Sequence, residues 1–230
     1  MRLDDLTTLF RKQVDDKVRP YLWDDVEILQ YTIDAQDMFV RLTGGIADST
    51  TRAITDVTVA PGVAIARHSP YILRIRSAQL VTAGRALKMA SEGDLATMVV
   101  EDYGFLLPAF LKDTDYGQVT AAILGIRDNS LRWYRVPEPT ADTDTCRMHV
   151  YRLPFPRITK IEDCLEIDEQ HHLHLIKWMK HLAYSKEDAE TYDRNLAESN
   201  KDLFTEYCDQ AKSEKERQRY KPRVVQYGGI

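Results

Sequence analysis

Leu3, Leu6, Phe10 and Val14 recur at steps of three and four, the period of one helix face, and predict a short amphipathic helix. It is expected to end near Arg19-Pro20, because the residue before a proline is pushed out of the helical region. Asp24 followed three positions later by Glu27 is a capping signature and predicts the start of a second helix. Leu22, Val26, Leu29, Ile33 and Val40 form its apolar stripe, and Gly44-Gly45 stops it. From Ser49 the pattern turns β-branched and alternating. Residues 54–59 and 63–66 read as strands paired across a Pro61-Gly62 turn, and 72–78 as a third strand. Residues 86–100 admit a short helix or two, and 103–108 an exposed apolar loop or a buried strand. Strand character returns over 118–126, 131–136 and 147–153, with Arg127-Asp128-Asn129-Ser130 as a turn.

The last third is helical again. Asp168 is a plausible cap for a helix with Leu175, Trp178, Met179 and Leu182 on its apolar face. After a break at Ser185-Lys186-Glu187-Asp188, a final helix carries Ala189, Tyr192, Leu196, Ser199, Leu203, Tyr207 and Ala211 on one stripe, and Pro222 ends it. Helices at both ends with strands between them predict an α+β fold, a helical bundle formed by the N- and C-terminal helices with a β-rich insertion. The expected organisation is a single domain over 1–230, with a helical core at 1–48 and 165–221, the insertion at about 50–160 and an extended tail at 222–230.

Composition narrows the function classes. The chain has 230 residues, 43% hydrophobic and 29% charged, enough apolar material for a sizeable core. No apolar run approaches the roughly 20 residues that cross a bilayer, and the first ten residues do not resemble a signal peptide. A soluble, non-membrane protein is expected. Cys146, Cys164 and Cys208 are odd in number and widely spaced, which fits a reducing compartment and suggests neither a disulfide framework nor a zinc knuckle. The net charge of −5 argues against a protein that grips nucleic-acid phosphates through a broad basic face, but suits a conduit through which DNA must slide.

Nucleotide, hydrolase and metalloprotease motifs are absent from the sequence, so no enzyme activity and no cofactor are expected. The alternative is a metal-dependent enzyme using His171, His174 and His181, whose helical spacing allows three imidazoles to approach one another. Asp4-Asp5, Asp15-Asp16 and Asp24-Asp25 read as caps and solvated surface, since neighbours in sequence point apart. Tyr103, Phe105, Leu106, Leu107 and Phe110 read as a subunit or tail-protein interface, an apolar stretch that a neighbour would cover. The basic run from Lys212 to Arg223 reads either as a solvated helix end complementing the helix dipole or as a docking element. In the docking reading, Val224, Val225, Gln226 and Tyr227 add a strand to a partner's sheet edge.

Two stretches carry a family likeness: Arg19-Pro20-Tyr21-Leu22-Trp23-Asp24-Asp25-Val26-Glu27-Ile28 through Asp48-Ser49-Thr50, and Ala183-Tyr184-Ser185-Lys186-Glu187-Asp188-Ala189-Glu190-Thr191-Tyr192-Asp193. Together they resemble the head-to-tail adaptor, or connector, proteins of tailed bacteriophages, chiefly the short-tailed type. The resemblance implies a structural virion protein of the neck, made in the host cytoplasm. It implies self-assembly into a ring, typically of twelve subunits, clamped beneath the portal protein, with tail nozzle, tail tube or tail fibre proteins below. Genomic DNA would pass through the centre without sequence-specific binding. The portal-binding residues it implies are Arg217, Arg219, Tyr220, Lys221, Arg223, Val224, Val225, Gln226 and Tyr227.

Overall fold

The computed structural model describes residues 1–94, 112–160, 162–187 and 191–219. The chain divides into two compact units, one made of Met1–Gly45 with Pro154–Ile230 and the other of Ile46–Leu153. Among the described residues, no helix is long and apolar enough to cross a membrane.

In the first unit, α1 spans Leu3–Gln13, ending well before the expected Arg19-Pro20 stop because Asp15 takes a left-handed φ of 60°, and α2 spans Asp25–Leu42. The capping box read from the sequence is present: Asp24 Oδ1 accepts the Glu27 amide at 2.7 Å and Glu27 Oε2 accepts the Asp24 amide at 3.2 Å. Arg11 sets the turn between the two helices, donating to Asp16 at 2.5 Å and to Asp25 at 2.8 Å. The stripe that α2 buries is not the predicted one. Ile28, Thr32, Ala35, Gln36, Phe39 and Val40 face inward, while Val26 is 74% exposed and Leu22 46%. Only Val40 belongs to both sets, because the inward face is chosen by its neighbours: Thr32 meets Met179, and Gln36 accepts the Glu166 amide.

A 3-10 turn at Glu169–His171 leads into α4, His172–Ser185, and α5 runs 26 residues over Arg194–Arg219. The two pack side by side, and α4 also packs on α1 and α2. Trp23 anchors this core, meeting Phe10 edge-on at 5.9 Å and Tyr184 at 6.2 Å between ring centroids. The Trp178 indole donates to Asp34 at 2.7 Å, so the ring is buried with its polar edge satisfied.

The second unit is a curled mixed sheet of β1 (Ile46–Asp48), β2 (Asp56–Val59), β3 (Ile65–Arg67), β4 (Ile72–Leu80), β5 (Arg85–Ser91), β6 (Ala121–Leu124), β7 (Ser130–Tyr134) and β8 (Asp144–Arg152). The order is β1-β8-β4-β5-β6-β7-β3, with β2 also pairing β8. Every ladder is antiparallel except β5 with β6. The curl brings β2 against β3. They are not the hairpin expected across Pro61-Gly62: β2 takes β8 as its ladder partner and β3 takes β7. The first two residues of the expected 54–59 strand belong instead to a helical turn, α3, Arg52–Thr55. Where a helix was allowed over 86–100, residues 85–91 form β5, paired with β4 on one side and β6 on the other.

Candidate functional site

The long helix α5 sits on one narrow stripe. Ala197, Phe204, Cys208 and Ala211 are buried at steps of seven, four and three, against α4 and α2. Phe204 meets Trp178 at 5.1 Å between centroids. The predicted stripe through Leu196 and Leu203 lies about 100° round the helix from this one, and both leucines are exposed, at 41% and 45%. Of that set, Ala211 is buried, Tyr207 half-buried and Ser199 exposed.

Toward the C-terminal half, an aromatic and histidine cluster fixes the helix. Tyr207 stacks on His174, with centroids 3.4 Å apart and planes within 8°, and its hydroxyl is 2.8 Å from His171 Nδ1. Phe39 of α2 lies 4.8 Å from the His171 ring. Lys215 closes the cluster, donating to Thr43 at 3.2 Å and lying 5.6 Å over the Phe39 ring. One member of the basic run is thus turned inward to the end of α2. Arg217 is exposed and lines, with Glu206, Asp209, Gln210, Ser213 and Glu214, a shallow depression of about 400 Å³ on the outer side of α5. Backbone helix reaches Arg219; Tyr220, Lys221, Arg223, Val224, Val225, Gln226 and Tyr227 lie outside the described residues. So do Tyr103, Phe105, Leu106, Leu107 and Phe110.

The three histidines of the metal reading face different partners. His171 and His174 meet at Tyr207, but His181 Nδ1 is 3.0 Å from the Ala197 carbonyl. His172 Nε2 is 2.8 Å from the Ile167 carbonyl. Burial first, then Lys215 nearby, lowers the His171 pKa below the ordinary histidine value; burial and then Lys177 do the same for His174. Among the described residues, no group of three His, Cys, Asp or Glu side chains is placed to hold a metal ion. Burial pushes the thiols of Cys146 and Cys208 up to about 12, so neither is a thiolate nucleophile near neutral pH.

Sequence reasoning named the histidines but missed what gathers them. Tyr207 and Lys215, eight residues apart on one helix face, were the available signal, since helical spacing puts both beside α4. This is an anchored helix that presents an exposed outer face, with Arg217 on it. Comparison with curated proteins finds no match. A family model described as SU10 adaptor protein matches residues 1–226, both units included. The chain accordingly belongs to the SU10 adaptor protein family, structural proteins that act as phage head-to-tail adaptors.

Proposed function

We propose that this chain forms a ring in the virion neck that binds the portal protein and serves as a platform for tail components around the DNA channel. Membership of an adaptor family over residues 1–226 supports the virion role. The observation that carries the docking site is the division within α5. Its inner stripe is committed to the helical unit as far as Lys215, whereas Arg217 is exposed at the end from which the basic and β-prone residues continue. In this reading the two terminal helical segments form a bundle that makes the ring wall. Arg217, Arg219 and Tyr220 through Tyr227 reach the portal, as a basic helix end followed by an added strand. Tyr103, Phe105, Leu106, Leu107 and Phe110 are covered by a neighbouring subunit or a tail protein.

Removal of Pro222 to Ile230 is expected to leave the far-ultraviolet circular dichroism spectrum and the melting midpoint unchanged while abolishing attachment to portal-bearing heads. Attachment by the truncated chain at the wild-type level would refute the docking site. Native mass measurement of the full chain with its portal is expected to show addition in a fixed, ring-sized multiple.

A further inference from the structure

Charge is unevenly divided between the two units. The basic and acidic residues of the Ile46–Leu153 unit balance, so the whole excess of acid resides in the helical unit. Within the balanced unit the cations are gathered on one face. Along β4, β5 and β8 the inward positions Ile75, Ala78, Leu80, Leu87, Cys146, Met148 and Val150 are buried. The ladder registers place Arg74, Ser77, Lys88, Arg147 and His149 on the opposite, outer face. Register shifts in β4 put Arg76 out as well. Arg74, Arg76, Lys88 and His149 are all exposed, and the Arg74 guanidinium is held over the Tyr151 ring at 4.6 Å. One of these cations, Arg147, is neutralised in place. Asp56 uses both carboxylate oxygens on Arg147, at 2.9 Å each, and Asp94 accepts the amide and hydroxyl of Ser91.

The chain carries the complement of this face. Glu198, Asp202, Glu206 and Asp209 follow one another at steps of four, four and three on the exposed side of α5, Glu198 also pairing with Arg194 at 2.9 Å. Dimensions agree. Lys88 and His149 lie on the strands flanking β4, about 10 Å apart, the diameter of one helix. The four carboxylates extend along about 16 Å of α5.

We propose that, in the ring, the cationic outer face of β4, β5 and β8 in one subunit receives the acidic side of α5 from the next. This rests on the ring reading above and gives it a heterologous contact, two different patches that repeat from copy to copy until the ring closes. Electrostatic complementarity fixes the register.

Charge reversal tests it on the full chain. Arg74→Glu with Arg76→Glu gives a subunit with two acidic patches; Asp202→Lys with Glu206→Lys gives one with two basic patches. Each is expected to raise the dissociation constant for self-association, read by sedimentation equilibrium, by at least about tenfold. An equimolar mixture of the two is expected to assemble, because every contact in an alternating ring again pairs opposite charges. Assembly of each variant alone at wild-type affinity would overturn this contact and leave the ring reading standing. A wild-type chain that stays monomeric at every concentration and adds in no ring-sized multiple to its portal would overturn both. Wild-type-like assembly by the Arg74→Glu, Arg76→Glu variant, together with loss of salt-sensitive capture of duplex DNA, would reassign the face to nucleic acid and overturn the proposal.

Discussion

Tyr207 joins two imidazoles that sequence spacing alone placed near each other without a purpose. One donates or accepts at its hydroxyl, the other lies flat on its ring, and both are held below the ordinary histidine value by burial and a neighbouring lysine. Asp168, Glu214 and His172 also face His171, the two acids acting in the opposite sense. Because the folded state disfavours the charged imidazoles, their contribution to stability is full above about pH 6.5 and is lost as the pH falls below it. The melting midpoint should therefore drop between about pH 7 and pH 5. The drop should be smaller in a His171→Gln, His174→Gln variant, and equal drops would show that these imidazoles do not set it. Asp48 is shifted in the same direction for a different reason, its charged form being the one the fold favours. Burial raises its pKa, but hydrogen bonds from Thr51, Arg152 and the Thr50 and Thr51 amides outweigh that and hold it well below the usual carboxylate range. Asp48→Ala leaves Arg152 buried without its carboxylate at 2.5 Å, and should cost about 3–5 kcal/mol in a urea titration.

At the scale of elements, α2 and α5 err in the same way. Each sequence holds two apolar rows about one residue apart, and periodicity cannot rank them. In α5 the neighbour decides: Trp178 on α4 offers an aromatic partner that Phe204 fills and Leu203 does not. Phe204→Ala should then destabilise by about 3–5 kcal/mol, whereas Leu203→Ala should stay within about 0.5 kcal/mol, as denaturant midpoints will show. A large effect at Leu203 in the isolated subunit would mean that the row through Leu196 and Leu203 is the buried one. The strands show the complementary limit. Alternation identified β4 and β8 where it is kept, with Ala78 and Leu80 buried about exposed Gln79, and Cys146, Met148 and Val150 buried about the more open Arg147 and His149. β7 reads as a strand over 131–136 although it is buried at every position, whereas β5 is masked by alanine and methionine, residues equally at home in helices.

At the scale of the molecule, the chain leaves the helical unit at Gly45 and returns to it at Pro154. The two crossings are adjacent, because Ile46 pairs with Arg152 and the Asp48–Arg152 bridge follows within the same ladder. That closure makes the long insertion tolerable: its ends meet in an antiparallel pair, so the helical unit sees one short gap and not a loop of a hundred or so residues.

Local physics was legible in the sequence by itself. The start of α1, the boundaries of α2, the Asp24–Glu27 capping box and the helical last third each depend on residues within a few positions of one another, and short-range sterics and hydrogen bonding fix them. Only the tertiary structure decided which of two apolar rows faces inward, that β2 pairs with β8 and not β3, and that Tyr207 and Lys215 bind the histidine cluster to α2. These are contacts between residues far apart in sequence, chosen by the partner that best fills the space and satisfies the buried polar groups. No local pattern encodes that choice.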